Sequence, residues 1–150
     1  MLGELTAEQI NAVLASEVVG RVGCHGEGRT YIVPITYMFD GDAVYAHSAE
    51  GLKITMMRAN PHVCFQVDQR ENLANWRSVV AWGVYEELHG KEAFDALQIL
   101  VARLMPLVTS ETLRLPADPS FAAGKPVADP PKTIIFRIRL VERTGRFEKR

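Results

Sequence analysis

Short turns separate most of the apolar segments of this chain, and this spacing limits the folds that it can adopt. Three strands are predicted over Val18–Cys24, Arg29–Phe39 and Ala43–Ser48, and the turns between them are His25–Gly28 and Asp40-Gly41. Gly and Asp-Gly tolerate the positive φ angles that tight hairpins require. Strands joined in this way pair antiparallel, and the regular strand–helix alternation typical of a parallel sheet is missing.

Three more strands are predicted further along the chain, over Val63–Asp68, Arg77–Leu88 and Ile134–Val141. A loop is expected over Gln69–Asn75, and Gly83 is a candidate β-bulge. An antiparallel sheet of six strands must curl or close to cover its edges. A small β-barrel is therefore expected, and residues 1–150 suffice for a single domain.

Helical spacing predicts three peripheral helices, over Ala7–Ala15, Gly51–Ala59 and Lys91–Met105. The first follows a capping box of Thr6 and Gln9, and its apolar face suits a lid on the barrel. Six of the eight prolines lie within Pro106–Pro131, which predicts an irregular excursion, either a flap or a solvated loop.

Charge and composition exclude several classes of function. The 17 basic and 18 acidic residues give a net charge of -1, so nucleic acid is not an expected partner. No apolar run is long enough to span a membrane and the start lacks a signal-peptide pattern, which indicates a cytoplasmic protein. Cys24 and Cys64 are expected as small buried residues, and neither a disulfide nor a metal site is predicted.

The segment from Val33 to Lys53 contains the candidate ligand-binding residues. No hydrolase, metalloprotease, NTPase or dinucleotide-binding motif is present. A strand ending at Ser48 meets the start of a helix that carries Lys53, and a helix N-terminus with a hydroxyl and an ammonium can hold one phosphate. The alternative is that Ser48 caps the helix and Lys53 is solvated.

Several motifs together resemble the pyridoxamine 5'-phosphate oxidase-like split-barrel family, in particular its small bacterial members, among them nitroimidazole-resistance-type flavoproteins. The resemblance covers nearly the whole chain and is weakest over Pro106–Pro131. It rests on Val-Pro-Ile-Thr-Tyr at 33–37, Asp-Gly-Asp at 40–42, Tyr-Ala-His-Ser-Ala-x-Gly-x-Lys at 45–53, Asn-Pro-x-Val-Cys-Phe at 60–65, Trp-Arg-Ser-Val-Val at 76–80 and Thr-Gly-Arg at 144–146.

The resemblance implies a six-stranded antiparallel split β-barrel that binds FMN. Position by position, it implies that the flavin is lined, largely through backbone groups, by Val33, Ile35 and Thr36. It implies that the phosphate end is held by His47, Ser48 and Lys53. The flavin ring would be contacted by Ser78, with Trp76 and Arg77 as weaker candidates beside it.

The family also implies a homodimer with two FMN sites at the subunit interface, so that one chain shows only half of a site. Strands that are apolar on both faces, such as Ile134–Val141, would then partly serve the dimer contact. His47 either donates a proton or only holds the cofactor. His25, His62 and His89 are expected to be structural.

The leading functional hypothesis is an FMN-dependent oxidoreductase that acts on a small organic compound, with a nitroaromatic as candidate substrate and NADH or NADPH as donor. The alternatives are a non-enzymatic flavin-binding or storage module, or a member of the fold that binds deazaflavin or haem. True pyridoxamine phosphate oxidases resemble each other in an Arg-rich C-terminal segment that ends close to Arg-Leu-x-Pro. This chain ends instead in Thr-Gly-Arg-Phe-Glu-Lys-Arg. Oxidation of vitamin B6 is therefore not expected.

Overall fold

The structure, a computed structural model, describes residues 1–107 and 132–150. Eight strands and three α-helices are found in these ranges, with a 3₁₀ turn at Met105–Leu107. In chain order they are β1 (Leu2–Glu4), α1 (Ala7–Ser16), β2 (Val19–Gly26), β3 (Arg29–Thr36), β4 (Met38–Phe39), β5 (Ala43–Ala49), α2 (Leu52–Ala59), β6 (His62–Asn72), β7 (Asn75–Glu87), α3 (Gly90–Leu104) and β8 (Thr133–Glu148). The excursion predicted over Pro106–Pro131 falls mostly on residues 108–131, outside the described ranges.

The sheet is antiparallel and open, and the split-barrel prediction is confirmed. Its strand order is β3-β2-β6-β7-β8-β5-β4, and β1 pairs with β8. The strands β3 and β4 follow each other directly in the chain but lie at opposite ends of this order. The sheet therefore curls back on itself, with β4 hydrogen-bonded to β5 and β3 hydrogen-bonded, within the described part of the chain, to β2 alone.

The six predicted strands become eight: β1 was not predicted, and the single strand expected over Arg29–Phe39 is divided into β3 and β4. Two further boundaries predicted from the sequence are also wrong. The loop expected over Gln69–Asn75 is mostly strand, because β6 and β7 continue to a tight turn in which Asn72 Oδ1 accepts a hydrogen bond of 2.9 Å from the Ala74 amide. The last strand does not end at Val141 but runs to Glu148, between β1 and β7. In both places the polar side chains face solvent while the backbone remains paired, so local polarity gave the wrong prediction.

A β-bulge lies at the position expected for Gly83. The register shifts between Trp82, which pairs with Glu142, and Gly83, which pairs with Leu140, so the extra residue is Val141 of β8. A Cβ atom at Gly83 would overlap the backbone carbonyl oxygen of Arg139. Glycine at this position therefore allows β8 to approach β7 closely at the bulge.

The core fills the inner face of the curled sheet, and α1 covers one end of it. The predicted capping box is confirmed, since Thr6 and Gln9 exchange the two hydrogen bonds of that motif. Tyr37 donates a hydrogen bond of 2.7 Å to the Leu14 carbonyl and packs edge-on against Phe65, with ring centroids 4.8 Å apart. These contacts hold α1 on the barrel as the predicted lid.

Helix α3 packs on the outer face of the sheet, where Leu88, Ala96 and Ile135 form a second buried cluster. Cys24 is buried as expected, whereas Cys64 is only half-buried, and both are free thiols. None of the helices within residues 1–107 and 132–150 has the length and hydropathy needed to cross a membrane.

Candidate functional site

The opening of the barrel lies between β3 and the end of β5, where α2 begins. Because β3 is paired on one side only within the described residues, its other side presents backbone N–H and C=O groups without a strand partner. Edge groups of this kind can bind a ligand through main-chain hydrogen bonds. The opening therefore has a row of backbone groups on one side and a helix N-terminus on the other.

The three residues predicted on β3 are not equivalent in the structure. Ile35 is buried in the core and Val33 packs against it, while Thr36 is half-buried on the opposite face of the strand. The side chains of Val33 and Ile35 are thus used for packing. Only their backbone groups remain for a ligand, which is the kind of contact that the resemblance implies for them.

His47 and Lys53 lie near each other at the other side of the opening. The Nε2 atom of His47 is buried and has no hydrogen-bond partner among the described residues. Burial and, to a smaller extent, the positive charge of Lys53 lower the pKa of His47. A buried polar atom without a partner is uncommon in folded proteins and indicates either strain or a missing ligand.

Lys53 is half-buried and forms no ion pair with a described residue. Burial lowers the pKa of its ammonium, and the Cys24 thiolate would act in the opposite direction. A half-buried cation without a counter-ion attracts an anion strongly, because it is screened less than an exposed charge. The prediction that Lys53 is available for a phosphate is compatible with this environment.

Ser48 is not the cap of α2. The N-cap is Gly51, which has no side chain to accept the free amides of the first turn, and the Ser48 hydroxyl donates a hydrogen bond of 2.8 Å to the Ala49 carbonyl. The amides at the start of α2 therefore receive no side-chain cap. Together with the Lys53 ammonium, they form a positively charged helix start that can bind an oxyanion, and His47 on the preceding strand is near enough for the Lys53 charge to lower its pKa.

Arg58, on the last turn of α2, fixes the helix against the sheet. Its guanidinium lies 3.1 Å from Glu50, just before the helix, and 2.8 Å from Glu87 at the end of β7. Glu87 also accepts a hydrogen bond of 2.8 Å from Tyr85, and its pKa is lowered chiefly by the hydrogen bond from Arg58. The start of α2 is thereby held close to β5.

Ser78 lies away from this group, on the outer face of the sheet. Its hydroxyl accepts a hydrogen bond of 3.2 Å from Gln66, which also contacts Asp68, and Asp68 forms a 2.9 Å ion pair with Arg21. Trp76 donates to Glu148, and Arg77 is exposed. Within one chain the structure therefore brings His47 near Lys53, whereas Ser48 projects from the opposite face of β5 to His47 and Ser78 lies elsewhere on the sheet.

An apolar groove that was not predicted from the sequence lies on the same outer face and has a volume of about 620 Å³. Ile32, Trp82 and Val141 line it and are 66%, 44% and 75% exposed. The signal was present in Val79–Val84, where apolar residues occupy successive positions of a strand and so both of its faces. Ile135 of the segment Ile134–Val141 is already covered by α3, so that segment offers only its Val141 end to this groove.

Comparisons with known proteins agree with this architecture. A structure described as an FAD-binding protein from Mesorhizobium loti is similar with a TM-score of 0.77 and 29% identity, covering 100% of this chain and 98% of that one. A provisionally assigned 5-nitroimidazole antibiotic resistance protein from Bacteroides thetaiotaomicron shares the fold, with a TM-score of 0.70, 19% identity and coverage of 98% and 87%.

Sequence comparison gives the family. An uncharacterised protein of Rhizobium meliloti, RA0666, is 38% identical over 84 residues, a match that spans 56% of this chain and only 56% of that protein. The family model described as pyridoxamine 5'-phosphate oxidase matches residues 6–147, which is almost the whole chain. This protein therefore belongs to the pyridoxamine 5'-phosphate oxidase family.

Proposed function

We propose that this protein is a homodimeric, FMN-dependent oxidoreductase that reduces a small organic molecule, with a nitroaromatic compound as candidate substrate and NADH or NADPH as donor. The main support is that, among residues 1–107 and 132–150, the Lys53 ammonium has no ion-pair partner, the nearby His47 Nε2 has no hydrogen-bond partner and the start of α2 has no side-chain cap. Flavin binding is also what the names of similar structures state for those proteins. The two free cysteines suit a reducing compartment such as the cytoplasm.

The residues at the opening fit a flavin phosphate. Lys53, the first amides of α2 and His47 Nε2 are the proposed donors for its oxygens, while Ser48 projects from the opposite face of β5 to His47 and donates its hydroxyl to the Ala49 carbonyl. The open edge of β3, from Val33 to Thr36, offers backbone groups to the polar edge of a flat ring. Bound flavin supplies the redox chemistry, while the protein holds the cofactor, orients it and excludes water.

FMN is the proposed cofactor because the start of α2 carries one cation, Lys53, without an ion-pair partner among the described residues, which matches a single phosphate. The purified protein should be yellow with absorption near 450 nm, and mass spectrometry of the ligand released by heat identifies it. If the released ligand is FAD, a deazaflavin or haem, the proposed identity of the cofactor is wrong. A colourless protein that takes up no flavin on titration would reject the proposal.

A second copy of the chain is the proposed partner for the apolar groove. Three exposed large apolar side chains on one concave face, Ile32, Trp82 and Val141, are unusual for a monomer and typical of an interface. A twofold dimer would bury the same groove on both chains. Ser78 lies on this face, so in such a dimer it would contribute to the flavin site whose Lys53 belongs to the other chain.

Mixed dimers test this shared site. Lys53→Ala and Ser78→Leu homodimers should each bind flavin poorly at both sites. Co-expressed and differently tagged chains should form heterodimers with one doubly altered site and one intact site, and so recover about half of the wild-type flavin content. No recovery would mean that Lys53 and Ser78 serve the same chain's site, whereas a Ser78→Leu homodimer that binds flavin normally would show that Ser78 serves none.

Turnover separates the oxidoreductase from a flavin-storage protein. Under anaerobic conditions NADH or NADPH should bleach the 450 nm absorption, and a nitroaromatic should restore it over many cycles. His47→Gln should slow this reoxidation more than it weakens flavin binding if His47 donates the proton. A flavin that neither donor reduces would favour storage.

A further inference from the structure

A second cavity adjoins the proposed phosphate site. It lies between α2 and the hairpin that joins β2 to β3, with a volume of about 330 Å³. Leu52, the residue before Lys53, lines its near end, and Thr55, Met56 and Ala59 continue along the helix. This spacing places the four residues on one helical face, next to the face from which Ile54 and Met57 enter the core, and Met56 also packs partly against the core.

The walls of this cavity combine three kinds of chemistry. Tyr31, Leu52 and Met56 provide an apolar and aromatic surface, and Leu52 is 55% exposed although it is a large aliphatic residue. Arg29 forms no ion pair with a described residue, so its guanidinium is available to an anion. Glu27, in the turn, carries a carboxylate that can accept hydrogen bonds from an amine.

From this combination we infer that the cavity binds an adenylyl group, the base on the apolar wall and its phosphate near Arg29. Adenine stacks on aromatic and aliphatic surfaces, and its exocyclic amine is a donor suited to a carboxylate such as Glu27. Arg29 suits a phosphate because guanidinium binds phosphate oxygens in a bidentate manner. The volume is at the small end of ligand sites, which fits part of a dinucleotide rather than the whole molecule.

The inference rests on the proposed function, because it is the nearby flavin site that gives an adenylyl group a purpose. Two sources share this chemistry: the adenylate half of FAD, continuing from the phosphate at Lys53, and the adenylate half of a nicotinamide dinucleotide donor. Both sources would place the adenine base beyond Leu52, along the face of α2 that carries Thr55, Met56 and Ala59.

Adenosine 5'-monophosphate (AMP), titrated calorimetrically into the flavin-loaded protein, is the direct test. Wild type should bind it. Arg29→Ala should weaken binding at least about fivefold, Arg29→Lys should restore part of it, and Thr55→Glu should abolish it because its charge repels the phosphate. Lys91→Ala removes an exposed cation on α3 and should have no effect. No binding of AMP at millimolar concentration to protein that holds FMN would overturn the inference.

Two further measurements identify the source. If the cavity serves FAD, Thr55→Glu should lower the affinity of the apoprotein for FAD but not for FMN. If it serves the donor, wild type should bind FMN and FAD equally, and Thr55→Glu should raise KM for NADH or NADPH while kcat changes little. An apoprotein that binds no flavin at all would refute the proposed function instead, which keeps the two failures distinguishable.

Discussion

The Lys53 ammonium and the His47 imidazole lie close enough for the lysine charge to add to burial in lowering the pKa of the histidine. Each group lacks a counter-charge among the described residues, and the Nε2 atom of His47 lacks any hydrogen-bond partner. One anion between them would relieve both conditions, because it attracts the lysine charge and favours a proton on the histidine. This relationship gives the first two predictions.

Lys53→Ala should weaken FMN binding by about 1–3 kcal/mol, the loss expected for one charge-assisted phosphate contact. Titration of the apoprotein, followed by flavin fluorescence, measures it. Riboflavin, which has no phosphate, should bind the variant and wild type alike, and Lys91→Ala should bind FMN normally. An equal loss for riboflavin would place the phosphate away from Lys53.

His47 should make the apoprotein less stable in mild acid. Its folded pKa lies below the usual 6.5, so below that pH the unfolded chain binds more protons at this residue than the folded one does. The contribution of the neutral His47 to the free energy of unfolding is fully present above pH 6.5 and is lost as the pH falls through the folded pKa. The loss is about 1.4 kcal/mol for each unit by which the folded pKa lies below 6.5. Urea unfolding between pH 7.5 and 5 measures it.

The matched variant for this experiment is His47→Gln, which keeps a polar side chain without the titration. Its stability should fall less than that of wild type over the same pH range. Saturating FMN should also flatten the wild-type curve, since a phosphate near Nε2 raises the pKa of His47. Parallel curves for the two proteins would contradict the assigned environment of His47.

Gly83→Ala should destabilise the fold by about 1–3 kcal/mol or more, because its Cβ meets a backbone carbonyl that cannot move without opening the β7–β8 bulge. Gly26→Ala is the control, since its Cβ would have only an ordinary 4.0 Å contact with Met56. Thermal unfolding of both variants checks the difference. Equal melting temperatures would show that β8 can shift at no cost.

Trp82→Glu should convert the proposed dimer into a monomer, because it places a charge in the apolar groove. Light scattering coupled to gel filtration gives the molar mass. Phe94→Glu, on α3 and similarly exposed at 60%, lies outside the groove and should leave the mass unchanged. A wild-type protein that is already monomeric at micromolar concentration would remove the basis for a shared site.

The sequence predicted those features that depend on neighbouring residues. The Thr6–Gln9 capping box, the Asp40-Gly41 turn and the end of α2 at Asn60-Pro61 are each specified within a few residues, and the structure has them where they were predicted. The proximity of His47 to Lys53 could be predicted for the same reason, since a short strand end and one helix turn span that distance. The resemblance to a family added the split barrel.

The tertiary structure decided what depends on residues far apart in the chain. The alternation of residues along a strand does not show which face of the sheet another element will cover. Ile135 is buried by α3, whereas Trp82 and Val141 on the same sheet remain exposed. Polar residues at 69–75 and 142–148 were misread because a paired backbone tolerates them wherever one face meets water. The separation of Ser78 from Lys53 likewise follows from the curl of the sheet, a property of long-range pairing that no local pattern encodes.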